Sequence, residues 1–210
     1  MLVTLEHHTP LIVAAVAIRT CWDSHDKSDG GGPRDLELID RVGNKNKHAS
    51  TLEHLVYTFY IDGISRACLQ ELSRHRIASL SVKSTRYTLK ELKDEESFYY
   101  MGVQSSEGIN RAKKFLVFCG VPAVDSLSIQ ALEGLRIILL LGISNDLAKY
   151  CLPESYKTEL TWTINARSLQ NFLALRTDKA ALWEIRDLAR NVFDALPHDH
   201  KYLFEECVKC

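Results

Sequence analysis

Between Arg74 and Arg86 the chain reads RHRIASLSVKSTR, so that Arg74, Arg76, Lys83 and Arg86 place four cations in one short stretch, with His75, Ser79 and Ser84 among them. A guanidinium is a rigid fork of donors that meets a phosphate through paired N–H···O bonds, and serine hydroxyls can take the remaining oxygens. Cations this close repel, and nothing in folding rewards the repulsion, so the economical reading is a polyanionic ligand. A solvated basic surface or a nucleic-acid footprint is the plainer alternative. The formal net charge of −1 and an isoelectric point near 6.7 leave no global basic field to draw in a duplex, which favours a compact phosphorylated ligand over non-specific polynucleotide binding.

A second polar set, Asn165, Arg167, Asn171 and Arg176, is interleaved with the core-like Leu169, Phe172 and Leu173. Carboxamides offer a donor and an acceptor together, which suits the edge of a heterocycle such as uracil or isoalloxazine. A third set, Lys47, His48, Ser50, Glu53 and His54, lies on the approach to a strand. His48 and Ser50 could touch a ligand from the loop, whereas Glu53 and His54 would point to opposite faces of a regular strand and His54 reads as half-buried. No Ser–His–Asp or Cys–His arrangement is signalled by spacing. Ser84, between Lys83 and Arg86, reads as a phosphate binder and not as a nucleophile. Hard chemistry in such a chain belongs to a bound cofactor, with the protein supplying orientation and charge.

The elements that must position these groups are readable in outline. Residues 52–61, rich in aromatic and β-branched side chains, predict a strand, with Asp62-Gly63 as a turn. Residues 64–75 switch to helical spacing, with Ile64, Cys68 and Leu72 on one stripe and Arg66, Gln70 and Arg74 on another. The basic stretch therefore starts where a helix ends, a position whose partial negative charge suits cations. Leu160–Ile164 predicts a short strand, followed by a helix over 166–176 that Asn165 can cap and on which Arg167, Asn171 and Leu175 share a face. A final amphipathic helix is expected over 179–196. Residues 23–34, with Gly30-Gly31-Gly32-Pro33, read as a flexible loop; the acidic Asp35, Glu37 and Asp40 that follow would repel phosphate and exclude a P-loop. Residues 107–151 read as two helices parted by Gly120-Val121-Pro122. The dense run Leu135–Leu141 is expected to be buried in the domain or against another subunit.

A length of 210 residues at 46% hydrophobic content predicts one domain spanning 1–210. No apolar run is long enough for a bilayer and the first residues lack a signal peptide's pattern, so a cytoplasmic protein without membrane association is expected. The six cysteines sit among apolar neighbours as buried, reduced thiols do. Cys207-Val208-Lys209-Cys210, with His198 and His200 upstream, could bind metal but reads as a reduced, frayed tail, and no metal site is expected.

Arg74-His75-Arg76-x-x-Ser79-x-Ser81-x-x-Ser84-x-Arg86 resembles the RHRxxSxNxxSxR signature of the flavin-dependent thymidylate synthases, the ThyX family. His48-x-Ser50-x-x-Glu53-His54 resembles that family's H-x-[ST]-x-x-E-H block. Trp162-Thr163-Ile164-Asn165-Ala166-Arg167-Ser168-Leu169-x-Asn171-Phe172-Leu173-x-Leu175-Arg176 is similar to its second block. The resemblance implies an α+β fold: a mixed α/β subunit with a small, mostly antiparallel sheet flanked by long helices, assembled as a homotetramer with FAD sites between subunits. It implies reductive methylation of dUMP to dTMP, with 5,10-methylenetetrahydrofolate as carbon donor and NADPH as reductant of FAD. By motif position, His48, Ser50, Arg74, His75, Arg76, Asn165, Arg167 and Asn171 would contact FAD. Glu71, Arg74, Ser84, Arg86, Lys149 and Arg176 would form the dUMP site, Arg176 being the catalytic position that polarises the uracil. Five residues depart from common family choices: Ser81 for Asn, Glu71 for Gln, Lys149 for Arg, Val82 for Glu and Ala180 for a flavin-contacting His.

Overall fold

Alternation decides the central strand: Tyr57, Phe59 and Ile61 are buried while Val56, Thr58 and Tyr60 are half-exposed, the period-two signature of a strand with one face on the core. The computed structural model describes residues 1–209. Its elements, in chain order, are β1 (Leu2–His8), α1 (Ile12–Cys21), α2 (Pro33–Ile39), β2 (Val56–Ser65), α3 (Arg66–Leu72), β3 (Ala78–Val82), α4 (Thr85–Thr88) and α5 (Lys90–Lys93). There follow β4 (Tyr99–Tyr100), β5 (Val103–Gln104), α6 (Ser106–Ala112), α7 (Pro122–Leu140), α8 (Asn145–Ala148), β6 (Lys157–Asn165), α9 (Ala166–Arg176) and α10 (Trp183–Asp194). The chain divides into two compact units, Met1–Asp62 with Glu71–Ser81 and Leu160–Cys210, and Gly63–Gln70 with Val82–Glu159.

The first unit is built on a sheet of order β1-β2-β6-β3, in which β1 and β2 are antiparallel, running from Leu2 opposite Asp62 to His8 opposite Tyr57. Phe59 of β2 packs against Trp162 of β6 with ring centroids 6.0 Å apart, and Trp162 meets Phe172 of α9 edge-on at 5.0 Å. Burying each of these rings contributes on the order of 2–3 kcal/mol, which fixes α9 onto the sheet. Asn165 caps α9 as expected, its side chain accepting from the Ser168 N–H at 2.8 Å.

Several boundaries differ from the sequence reading. Ala49–His54 is a 3₁₀ turn, so β2 starts at Val56; it then runs through Asp62-Gly63, where Gly63 adopts φ 78° within the strand and does not reverse the chain. Glu53 and His54 therefore lie on a turn, both exposed, and His54 is not half-buried. The glycine-rich loop is not flexible in its hydrogen bonding. Asp35, fully buried, pairs with Arg19 at 2.6 Å and accepts from Ser28 Oγ at 2.6 Å and from the Gly31 N–H at 2.9 Å. Burial alone would raise this carboxyl's pKa, but the Ser28 and Gly31 hydrogen bonds and the Arg19 partner outweigh it and hold the pKa far below the ordinary carboxylate range. The last helix begins at Trp183 because Asp178 first makes its own turn, accepting from the N–H groups of Ala180 and Ala181.

The second unit gathers Leu89, Leu92, Phe98, Phe115, Leu132 and Leu135, among others, into its own core. Gly108 of α6 lies against the Phe98 carbonyl oxygen so closely that a Cβ would collide with it. In the Leu135–Leu141 run only Leu135 and Leu139 are buried; Ile137, Leu140 and Leu141 are 46%, 50% and 74% exposed, which removes the first of the two expected burial modes for them. Cys21, Cys119 and Cys151 are exposed, against the expectation of buried thiols, and Cys210 lies outside the described residues. Among the described residues no helix is long and apolar enough to cross a membrane.

Candidate active site

The sequence brings a cleft of roughly 740 Å³ to the end of two helices in the first unit. One wall follows α3 and carries Glu71, Arg74, His75 and Arg76; another follows the last turns of α9 and carries Asn171, Leu175 and Arg176. Residues Asp178, Ala180, Ala181 and Lys209 complete it. On α9 the alternation is simple: Phe172 and Leu173 face the core, which leaves Asn171 and Leu175 exposed one helical turn apart. Both helices end where the cations begin, so each carbonyl terminus is matched by positive charge.

Arg176 is the best-determined side chain of the cleft. Its Nε–H donates to His75 Nε2 at 2.8 Å, Nη1 donates to Glu71 Oε2 at 2.6 Å, and Nη2 lies 3.4 Å from the Glu71 main-chain oxygen. Three of the five guanidinium N–H groups are thereby engaged, and two remain for a ligand. Its side chain is only 17% exposed.

His75 is 5% exposed and stands edge-on to the Phe172 ring at 4.9 Å. Burial, and then the neighbouring charges of Arg176 and Arg74, lower its pKa to about 4, the opposing pull of Glu71 notwithstanding. The ring is neutral near pH 7, and because Nε2 accepts from Arg176 its proton resides on Nδ1. The chain leaving Arg76 is tied to α9 by the Ile77 N–H, which donates to Ser168 Oγ at 3.0 Å.

The cleft thus collects six of the residues expected to contact ligands, Glu71, Arg74, His75, Arg76, Asn171 and Arg176, together with Ala180 at the position where family members carry a His. Arg74 and Arg76 are exposed and carry no ion pair among the described residues. Glu71, read from the motif as a substrate contact, is engaged with Arg176. Asn165 is the α9 cap, Arg167 is paired with Glu53 at 2.7 Å, and His48 and Ser50 are exposed at the start of the 3₁₀ turn; these four do not line the cleft. Ser84, Arg86 and Lys149 belong to the second unit. There Arg86 meets Asp146 through two contacts, at 2.7 and 3.3 Å, between groups that are both 56% exposed, while Ser84 is exposed and Lys149 half-buried. An ion pair so exposed contributes little and is readily exchanged for a phosphate. Lys83 is answered by Glu159 at 3.3 Å, so two of the four cations in the basic stretch have carboxylate neighbours and two do not.

Sequence reasoning missed Asp178 and Lys209. Lys209 belongs to the tail expected to fray, yet its N–H donates to Thr177 Oγ1 and its Nζ meets Asp178 Oδ2, both at 2.8 Å. Cys207 is a free, half-buried thiol whose pKa burial raises, and His200 is buried with its Nδ1 2.7 Å from the Tyr57 hydroxyl. Among the described residues no three His, Cys, Asp or Glu side chains cluster as a metal site would require.

A mixed α/β chain with clustered guanidinium groups beside a buried neutral imidazole has the making of a nucleotide site. The family described as Thymidylate synthase complementing protein matches residues 4–198. The flavin-dependent thymidylate synthase of Wolinella succinogenes is 71% identical over 205 residues, 97% of each chain, and that of Campylobacter jejuni strain RM1221 is 64% identical over 208 residues, covering 99% of this chain and 98% of the relative. Two crystal structures of Helicobacter pylori ThyX with FAD and dUMP superpose at a TM-score of 0.94, with 58% and 60% identity and full coverage of both chains. The chain belongs to the flavin-dependent thymidylate synthase family.

Proposed function

We propose that this chain methylates dUMP to dTMP reductively, with 5,10-methylenetetrahydrofolate as carbon donor and NADPH as the source of electrons through FAD. The observation that carries the reading is the seating of Arg176 in this cleft, in a chain related over its whole length to proteins crystallised with FAD and dUMP. The residues present fit a flavin dinucleotide: Arg74 and Arg76 are unneutralised cations suited to a diphosphate, and the Asn171 carboxamide on the same cleft suits a ring edge. When bound, FAD supplies the two-electron reduction that makes a methyl group from the transferred methylene.

The chain's own contribution is binding and charge. Arg176, fixed on two sides before any ligand arrives, stabilises negative charge developing on the pyrimidine without reorganising. Glu71 acts in this reading by holding Arg176, and His75 does the same from the buried side while Arg74 and Arg76 face the cofactor. Ser84, Arg86 and Lys149 hold the nucleotide phosphate, Arg86 exchanging Asp146 for it. His48, Ser50, Asn165 and Arg167 form the remaining flavin contacts. The working unit is a cytoplasmic homotetramer with shared sites. Support for that assembly comes from α7, where Val124, Leu127 and Ile137 are exposed and Gly134 opens onto free space, an apolar helical face suited to close packing.

Anaerobic incubation with FAD, NADPH, methylenetetrahydrofolate and dUMP should yield dTMP. Arg176→Ala should abolish turnover while much flavin stays bound; unchanged turnover would remove Arg176 from the chemistry, and absence of both dTMP and flavin binding in the parent would refute the reading as a whole.

A further inference from the structure

The C-terminal tail lies beyond the residues matched by the family, yet it walls the cleft. Lys209 is anchored by its own backbone, through the N–H that donates to Thr177 Oγ1, and Thr177 is in turn buried with its hydroxyl donating to the Leu173 carbonyl of α9 at 2.7 Å. That anchor leaves the Lys209 side chain free to choose partners. Its Nζ now rests on Asp178 Oδ2 at 2.8 Å, on the rim of the same cleft as Arg74, Arg76 and Arg176. Asp178 is itself fixed, because its other oxygen accepts from the Ala180 N–H at 2.8 Å. The rim therefore carries a movable cation beside an immovable carboxylate.

From this geometry we infer that Lys209 is a further binding residue of the cleft, a cation held in reserve by Asp178 that turns to a phosphate- or carboxylate-bearing ligand when one enters. The inference rests on the proposed function for which anions those are. FAD, dUMP and NADPH would present phosphates, and the folate would present carboxylates. Lys209 and Asp178 are respectively about half and one-third exposed, so the pair is weak and its exchange for a ligand anion costs little. The cleft without Lys209 would hold Arg74, Arg76 and Arg176 against Glu71 and Asp178; Lys209 doubles the net positive charge, from one to two, that an anion meets.

The test is the sign of two substitutions in the full chain. Lys209→Gln removes the cation; Asp178→Asn keeps the oxygen that accepts from Ala180 but removes the competing charge. Dissociation constants are measured for FAD, dUMP, NADPH, methylenetetrahydrofolate and inorganic pyrophosphate, with thermal unfolding as the check on folding. Lys209→Gln should weaken, and Asp178→Asn should strengthen, the binding of at least one of these anions, each by about three- to tenfold at low salt. The ligand that responds identifies the source, and the double variant should return close to the parent. A latch that merely closes the tail would make both substitutions act in the same direction or not at all, and either result overturns the inference. Should the parent bind no FAD and form no dTMP, the proposed function falls, while the pyrophosphate measurement still decides the role of Lys209.

Discussion

His75 is where acid should reach the site first. Its folded-state pKa of about 4 lies below the 6.5 of an unrestrained histidine, so as pH falls the unfolded chain takes up the proton first. The stability contributed by the neutral ring is fully present above pH 6.5 and is lost as pH falls from there to about 4. At ~1.4 kcal/mol per pH unit the whole loss is roughly 3 kcal/mol, most of which falls between pH 7 and pH 4.5. His75→Gln isolates it, because a glutamine oxygen can accept from Arg176 Nε–H but cannot be protonated in this range. Urea unfolding of parent and variant at those two pH values gives a difference of differences from which His200, Asp35 and every other titrating group cancel. The parent should lose about 2 kcal/mol more than the variant. Equal losses would mean that His75 is not held neutral by burial and by its cationic neighbours, and the account of the Arg176 clamp would fall with it.

Glu71→Gln keeps an acceptor for Arg176 Nη1 and removes its counter-charge. Stability should drop by no more than about 1 kcal/mol because Glu71 is one-third exposed, and dUMP affinity measured by calorimetry should rise several-fold; a tenfold fall would make Glu71 a ligand contact in its own right. Asp35→Ala strands the buried Arg19 charge and releases Ser28 and Gly31, so about 3–5 kcal/mol should be lost in denaturant titration and limited proteolysis should open the chain between residues 24 and 32. Gly108→Ala, a change that favours an exposed helix interior, should here destabilise by about 1–3 kcal/mol in thermal unfolding because the new methyl meets the Phe98 carbonyl; a stabilised variant would refute the close approach.

What could be read in the sequence followed from local physics. The bounds of α9 come from Asn165, an apolar stripe and a cationic end, all within a dozen residues, and the structure reproduces them. The start of β2 differs because Leu52 lies within a 3₁₀ turn and Leu55 just after it, yet both are fully buried, and an apolar pattern alone does not separate a tight turn from a strand. Asp62-Gly63 carries a turn's composition, but glycine also permits a positive φ inside a strand. The ordering of the glycine-rich loop depends on a pairing of Arg19 with Asp35 across 16 residues, and the docking of Lys209 on Asp178 across 31, and no local pattern announces either. Within the cleft, the residue types were legible while their division of duty was not: the burial of His75 and its bond to Arg176 are tertiary properties.

That difference in duty explains how so many cations coexist. Arg74 and Arg176 lie close enough to lower the pKa of His75, so a further proton in this corner is disfavoured by the charges that make the cleft attractive to anions. A neutral imidazole whose proton sits on Nδ1 has a lone pair on Nε2, and that lone pair is what Arg176 Nε–H needs. Crowding the cations thus creates the acceptor that locks one of them in place. Glu71 takes another edge of the same guanidinium, which leaves Arg176 oriented but with donors to spare, while Arg74 and Arg76 keep their charge uncompensated at the surface. The division of labour is therefore electrostatic: one arginine is ordered by being partly satisfied, and the other two attract a ligand because they are not.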